Sequence, residues 1–140
     1  MHANPMRTEL ARESPRLRVF LVENDADTRR FFAMYLERLG HAVQSAESVG
    51  EATTALAASR HDVLIVDIGL PDGTGWDLMR LLAERGIARP AYAVAMTGFG
   101  REEDRVKSEA AGFRHHLVKP IVGKKVLAIL DEVTRDPADR

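Results

Sequence analysis

The chain has 140 residues, no cysteine and a formal net charge of −1, from 20 lysine and arginine against 21 aspartate and glutamate residues. This length corresponds to one domain, since domains cluster at roughly 100–150 residues. The balanced charge gives no long-range attraction to nucleic acid or to an anionic membrane. The lack of cysteine excludes disulfide scaffolds, Cys-ligated metal centres and thiol chemistry. We therefore expect one domain that binds neither nucleic acid nor membranes.

The two ends of the chain are polar. Residues 1–16 lack the apolar core of a secretory signal, and no apolar run approaches the roughly 20 residues needed to cross a bilayer. We expect a cytoplasmic protein with a domain at 17–134 and flexible tails at 1–16 and 135–140. Because only a few polar residues follow the last predicted helix, we also expect a stand-alone domain without an attached output domain.

A strand and a helix come first. The run LRVFLV at 17–22 is apolar and partly β-branched, which favours a strand. The segment DADTRRFFAMYLERLG then places Phe32, Leu36 and Leu39 on one face of a helix. Asp25 offers the side-chain oxygen that caps such a helix at its N-terminus. The segment therefore predicts one strand–helix pair.

The same alternation recurs four more times. The runs HAVQSA, DVLIVD, AYAVAMT and RHHLV read as strands, and an amphipathic helical stretch follows each of them. Runs such as VLIV are apolar at successive positions, so both of their faces should be covered, as in a parallel sheet flanked by helices. The pattern predicts a doubly wound α/β domain, (βα)5, with a five-stranded parallel sheet. Ligands of such sheets bind at the carboxyl ends of the strands.

Polar residues stand at the ends of four predicted strands. Glu23 and Asn24 follow the first strand, Asp67 ends the third, Thr97 ends the fourth, and Lys119 follows the fifth. Oxygen ligands at one sheet edge suit Mg²⁺, which takes one or two carboxylates, several waters and phosphate oxygens. A lysine and a hydroxyl supply donors for the remaining phosphoryl oxygens. The set predicts a site that carries a phosphoryl group on a carboxylate.

These motifs resemble the receiver domain of two-component response regulators. The resemblance covers about 17–134 and rests on VFLVEND, VLIVDIGLPDGTGWDLM, AVAMTG and AGFRHHLVKP at the first, third, fourth and fifth strands. It implies a flavodoxin-like fold and a phosphohistidine donor, either a sensor histidine kinase or a histidine phosphotransfer protein. It also implies a downstream protein target and no enzymatic turnover. VEND and HHLVKP are similar to receivers of hybrid sensor kinases, which favours a phosphorelay.

The resemblance gives the strand-end residues their roles. Asp67 is the implied phospho-acceptor, while Thr97 bonds the phosphoryl group and Lys119 pairs with it. Phosphoryl transfer needs positioning and charge neutralisation more than covalent help from the protein, which explains these residue types. The implied cofactor is Mg²⁺. Its implied ligands are Glu23, Asn24, Asp67 and the main-chain carbonyl of Gly69, with Asp25 as a further candidate.

Two positions depart from the family pattern. Most receivers carry two acidic residues after the first strand, but the second is Asn24 here, and an uncharged amide should bind Mg²⁺ more weakly. His116 stands where the family usually has a tyrosine or phenylalanine that swings inward as Thr97 moves toward the phosphoryl group. An imidazole also titrates near neutral pH. The sequence therefore predicts an altered or pH-sensitive switch.

The loop beyond the predicted acceptor reads as a turn. In LPDG, proline fixes φ and glycine permits unusual backbone angles. The Lys-Pro bond of this family is often cis, which predicts a cis bond between Lys119 and Pro120, although cis is otherwise the minority state of X–Pro bonds.

Other functions stay open on the sequence alone. Asn24 makes a degenerate receiver conceivable, one that binds proteins as a phosphorylation-independent scaffold. A phosphatase of the haloacid dehalogenase class needs a second aspartate where this chain has Gly69, and a flavin-binding electron carrier would be coloured. His115 and His116 are adjacent on a predicted strand and point to opposite faces, so both are not expected to bind one metal ion.

Overall fold

The computed structural model describes residues 16–136. The predicted tails 1–16 and 135–140 lie mostly outside the described residues, and Arg135 is the last residue of the final helix. In chain order the elements are β1 (Arg18–Val22), α1 (Ala26–Arg38), β2 (Ala42–Ala46), α2 (Val49–Ala58), β3 (Val63–Asp67), β4 (Gly69–Leu70), β5 (Gly73–Thr74), α3 (Gly75–Glu84), β6 (Tyr92–Thr97), α4 (Glu102–Ala111), β7 (His115–Val118) and α5 (Gly123–Arg135).

The main sheet has five parallel strands in the order β2-β1-β3-β6-β7. This confirms the predicted doubly wound (βα)5, flavodoxin-like fold. No helix among residues 16–136 has both the length and the apolar character to cross a membrane.

Each face of the sheet has its own apolar core. All five residues of β3 are buried, and because side chains alternate along a strand, Val63 and Ile65 join one cluster while Leu64 and Val66 join the other. Residues of α1 and α5 complete the first cluster, and residues of α2 and α3 complete the second. The continuous apolar run that predicted a doubly covered strand thus has partners on both sides.

Side-chain caps fix where three helices begin. Asp25 accepts a hydrogen bond from the amide of Thr28 at the start of α1, as the sequence predicts. Ser48 caps α2. Thr74 and Asp77 form a reciprocal capping box at α3. Caps of this kind stabilise a helix by about 0.5–2 kcal/mol, and here Asp25 follows β1 by three residues while Thr74 is the last residue of β5.

The LPDG turn connects a small antiparallel hairpin that the sequence did not predict. Gly69 pairs with Thr74 and Leu70 pairs with Gly73. Strands of two residues are too short to show any periodicity, so only the turn was visible. Immediately after the hairpin, a Cβ on Gly75 would lie 3.1 Å from the carbonyl oxygen of Asp67. The absence of a side chain there lets α3 begin against the end of β3.

Two histidines, His41 buried and His61 half-buried, lie at the edge of the sheet where the strands begin. His41 Nδ1 accepts a hydrogen bond of 3.1 Å from the amide of Leu17. The ring of His61 contacts Phe20 edge-on, with 5.0 Å between the ring centroids. Burial lowers the pKa of both imidazoles, because it removes the charged form from water. Both side chains are therefore held as neutral bases in the folded protein at pH 7.

We expect the free energy of unfolding to fall as the pH drops below about 6.5, the ordinary histidine pKa. Below that pH the unfolded chain takes up protons that the folded protein still refuses, so this stability is present above 6.5 and is lost toward the depressed folded pKa. In His41→Asn an amide oxygen can still accept from Leu17 but cannot titrate. Its free energy of unfolding should depend less on pH.

Urea unfolding near pH 7 and near pH 5.5 measures the difference between wild type and variant. Both proteins have the same carboxyl groups, so the contribution of these groups to the pH dependence cancels in the comparison. Parallel pH dependences of the two proteins would contradict the role of His41.

Candidate functional site

Three strand ends converge on one charged cluster. Lys119, directly after β7, places its Nζ 2.7 Å from Oε1 of Glu23 and 2.7 Å from Oδ2 of Asp67. Glu23 follows β1, and its amide continues the ladder with a 3.0 Å bond to the carbonyl of Ala46. Asp67 is the last residue of β3. The structure therefore brings Lys119 into contact with two residues that lie 96 and 52 positions earlier in the chain.

The cluster is shielded to different degrees. The side chains of Glu23, Asp67 and Lys119 are 2%, 12% and 30% exposed. Burial raises the pKa of Glu23, the contact with Lys119 opposes this, and the charge of Asp67 adds to the rise. Burial alone would lower the pKa of Lys119, but its bonds to Asp67 and Glu23 raise it. The ammonium therefore stays charged at neutral pH and is shared by two carboxyl groups.

This donor set fits a divalent cation. With both carboxyls ionised, one ammonium leaves a net negative charge at the cluster, and Mg²⁺ prefers hard oxygen ligands of which only one or two are carboxylates. Residues 16–136 contain no group of three or more His, Cys, Asp or Glu arranged to hold a metal. Two carboxylates beside one ammonium suit an ion that keeps several of its waters, as Mg²⁺ does.

Asp67 is held at both carboxylate oxygens. Oδ1 accepts a 3.1 Å hydrogen bond from the amide of Gly69, while Oδ2 accepts from Lys119. The backbone beyond it is fixed as well, because the amide of Ile68 donates to the carbonyl of Met96 at 2.8 Å. The carboxylate thus has a defined orientation and a small exposed area at the end of the central strand.

Thr97 ends β6 beside this cluster and is buried. Its Oγ1 accepts a 3.2 Å bond from the amide of Phe99. Its carbonyl accepts a 2.7 Å bond from the amide of Lys119. The Lys119–Pro120 bond is cis, as the sequence predicts.

Asn24 and Asp25 lie at the outer side of the site. Asn24 is exposed. Both N-cap bonds of Asp25 use Oδ2, at 2.9 Å from the amide and 2.6 Å from the hydroxyl of Thr28. These bonds lower the pKa of Asp25. The helix-capping role predicted for Asp25 is therefore the one its contacts show.

Sequence reasoning missed Arg29. Its Nη1 donates to the carbonyls of Glu23 and Asn24 at 2.8 and 3.2 Å, and its Nη2 lies 3.6 Å from a carboxylate oxygen of Glu47. The sequence does contain one signal for this role: Arg29 stands four positions after the N-cap residue Asp25, which places it about one helical turn from the loop. Arg29 holds the loop that carries Glu23 and Asn24.

His116 belongs to a hydrogen-bonded chain that the sequence also missed. Its Nδ1 lies 3.2 Å from Oγ of Ser108, and Nε1 of Trp76 donates to the same hydroxyl at 3.0 Å. Burial, with a smaller effect of the Arg105 charge, lowers the pKa of His116, while Asp104 opposes this. The ring is therefore neutral at pH 7. Its Nε2 is buried and has no hydrogen-bond partner within residues 16–136.

An apolar groove of about 520 Å³ opens beside the cluster. Phe31 on its rim is 69% exposed, and Lys119 forms part of its wall. The groove is lined by Thr28, Phe31, Phe32, Tyr35, Lys119, Pro120, Ile121, Gly123 and Val126.

Known proteins share this sequence pattern. The sequence matches the family described as "Response regulator receiver domain" over residues 19–131. The phosphate regulon transcriptional regulatory protein PhoB of Klebsiella pneumoniae is 30% identical over 118 residues, which are 84% of this chain and 52% of PhoB. An uncharacterized 14.6 kDa protein in the sodA1 3′ region of Leptolyngbya boryana is 28% identical over 114 residues, covering 81% of this chain and 87% of that protein.

The chain spans about half the length of PhoB and of a similar probable transcriptional regulator, SilR of Salmonella typhimurium. A crystal structure of a two-component response regulator from Clostridium difficile matches the fold with a TM-score of 0.79 at 22% identity, covering 86% of this chain and 97% of that one. At this identity the likeness concerns the fold alone. The family match extends from β1 into α5, and the chain therefore belongs to the family of response regulator receiver domains.

Proposed function

We propose that this receiver accepts a phosphoryl group on Asp67 from a phosphohistidine donor, in a Mg²⁺-dependent reaction. The observation that carries the proposal is the ammonium of Lys119, 2.7 Å from Oδ2 of Asp67 and 2.7 Å from Oε1 of Glu23. Such a cluster costs desolvation free energy, and that cost is understandable where the charges bind a phosphoryl group.

In the proposed reaction a carboxylate oxygen of Asp67 attacks the phosphorus of the donor. The phosphorus–nitrogen bond breaks, and its electron pair returns to the donor imidazole. Lys119 then pairs with a phosphoryl oxygen, and the hydroxyl of Thr97 donates to another. The transfer itself needs in-line positioning and charge stabilisation, which a fixed carboxylate and a fixed ammonium supply.

We propose that Glu23, Asn24, Asp67 and the main-chain carbonyl of Gly69 hold Mg²⁺. Bound there, the ion would neutralise charge that develops on the phosphoryl oxygens. Asp25 is the weaker candidate, because Thr28 already occupies its Oδ2.

The proposed partners are a sensor histidine kinase or a histidine phosphotransfer protein as donor, and a downstream protein as target. The donor must bring its imidazole to Asp67, and the apolar groove beside Lys119 supports a protein surface approaching from that side. Output through protein contacts or through onward transfer of the phosphoryl group fits the same site. Accepting one phosphoryl group on its own side chain is stoichiometric and does not make the receiver an enzyme.

Incubation with acetyl phosphate and Mg²⁺ tests the acceptor. We expect the intact mass of the wild type to rise by one phosphoryl group, and we expect no rise in Asp67→Asn, because an amide is not a nucleophile of this kind. A matched control is Asp62→Asn. Asp62 lies just before β3 and accepts a hydrogen bond from the amide of Arg18, so its variant should still gain the mass. An unchanged gain in Asp67→Asn would refute the assignment.

The same measurement decides the alternative of a phosphorylation-independent scaffold, which Asn24 keeps open. A folded wild type that gains no mass would favour the scaffold. The charged cluster supports the phospho-acceptor, since protein binding alone does not require two carboxyls around a shielded ammonium.

We expect Asn24→Asp to tighten Mg²⁺ binding about tenfold. One more unit charge close to a divalent ion at a water-exposed position is worth on the order of 1–2 kcal/mol. Titration calorimetry measures the change. Ala26→Asp adds the same charge on the exposed first turn of α1 and should tighten binding much less. Equal Mg²⁺ affinities of wild type and Asn24→Asp would rule out Asn24 as the cause of weak binding.

We propose that His116 moves when Asp67 is phosphorylated. The ring leaves one buried nitrogen unpaired, which costs about 1–3 kcal/mol, so the resting position is readily exchanged for another. At pH 7 the ring stays neutral, and a change in its NMR signals therefore reports a change of surroundings. We expect these signals to shift when acetyl phosphate and Mg²⁺ are added to the wild type, and to stay fixed in Asp67→Asn. An unshifted His116 in phosphorylated wild type would exclude the switch.

A further inference from the structure

Asp72 connects the hairpin after the acceptor strand to a different helix. It lies at the tip of the turn between β4 and β5. Its Oδ1 accepts a 2.8 Å hydrogen bond from the amide of Val49, and its Oδ2 accepts a 2.9 Å bond from the amide of Gly50. Those are the first two residues of α2. One carboxylate therefore bonds two helix amides that lie 23 and 22 positions earlier in the chain.

Ser48, and not Asp72, is the local cap of α2. Ser48 precedes the helix and accepts a 3.1 Å bond from the amide of Glu51. The local side chain thus satisfies the third amide of the helix, while the distant carboxylate satisfies the first two. The contact of Ser48 thus stabilises the helix locally, whereas the contacts of Asp72 link α2 to the hairpin.

The hairpin depends on such links. It contains only two residue pairs, and a short two-stranded hairpin is at best marginally stable on its own. It packs close to α2, since a Cβ on Gly73 would lie 3.4 Å from Cγ2 of Val49. At its first residue, Gly69, the amide donates to Asp67. The carbonyl of that residue is the proposed backbone ligand of Mg²⁺.

Resting on the proposed function, we propose that Asp72 is a positioning residue of the phosphorylation site: by bonding α2, it fixes the hairpin and with it the carbonyl of Gly69. The two amide bonds lower the pKa of Asp72, so the clamp is charged and intact at neutral pH. The clamp also joins α2 to the acceptor loop, although α2 contributes none of the residues proposed to bind the phosphoryl group or the metal.

The experiment compares full-length Asp72→Ala, Asp72→Asn and Ser48→Ala with the wild type. The amide of Gly69 donates to Asp67 and the amide of Thr74 donates to Asp77, so both bonds tie the hairpin to the elements beside it. Hydrogen exchange at these two amides, followed by NMR, measures how firmly the hairpin keeps these contacts. A Mg²⁺ titration followed by the amide signal of Gly69 measures metal affinity. Urea unfolding gives the stability of each variant, and the NMR spectrum shows that each one folds.

For Asp72→Ala we expect faster exchange at both amides and Mg²⁺ affinity about tenfold weaker, the lower end of the range for residues that support metal ligands. Asp72→Asn keeps an oxygen for one of the two helix amides. Its amide exchange and its Mg²⁺ affinity should therefore lie between those of Asp72→Ala and the wild type. Ser48→Ala should lose stability of the helix while it keeps the wild-type exchange and Mg²⁺ affinity.

Three results would overturn the inference. One is unchanged exchange at Gly69 and Thr74 in Asp72→Ala. Another is unchanged Mg²⁺ affinity in that variant while the wild type binds Mg²⁺. An equal loss of Mg²⁺ affinity in Ser48→Ala would also overturn it, because the effect would then follow from helix stability alone. If the wild type shows no response to Mg²⁺, the proposed function fails instead, and the exchange rates alone decide whether Asp72 holds the hairpin.

Discussion

One ammonium shared by two carboxyls is the interaction around which the site is arranged. Lys119 contacts Glu23 and Asp67 at the same distance, and these three residues follow or end β7, β1 and β3. Because β3 is the central strand and is buried on both faces, Asp67 at its end cannot move without disturbing both apolar cores. The charged cluster thus lies on rigidly packed strands. The apolar packing of those strands offsets the desolvation free energy of the charges.

The loops above those strands are held by side chains from other elements. Arg29 of α1 bonds the carbonyls of the loop after β1, and Asp72 bonds the first turn of α2. Loops without such bonds are the more mobile parts of a fold. The site therefore depends on the helices flanking it as much as on the strands that end in it.

A second polar network joins α3, α4 and β7. Trp76 near the start of α3, Ser108 in α4 and His116 in β7 share hydrogen bonds through one hydroxyl. Each lies on a different element, so the hydroxyl of Ser108 links the start of α3 to the face formed by α4 and β7. The buried Nε2 of His116 has no hydrogen-bond partner among residues 16–136, which lowers the stability that this network contributes.

The sequence by itself determined the order of strands and helices, the doubly covered sheet and the edge at which the polar residues meet, since alternating apolar periods and polar strand ends are local signals. Tertiary structure alone decided which of those residues touch. Lys119 reaches Glu23 because β1 and β3 are neighbours in the sheet and β7 lies beyond β6, an order that periodicity does not encode. The hairpin of β4 and β5, the clamp of Asp72 and the hydroxyl shared by Trp76 and His116 were also invisible in the sequence, because each joins residues whose separation along the chain carries no pattern.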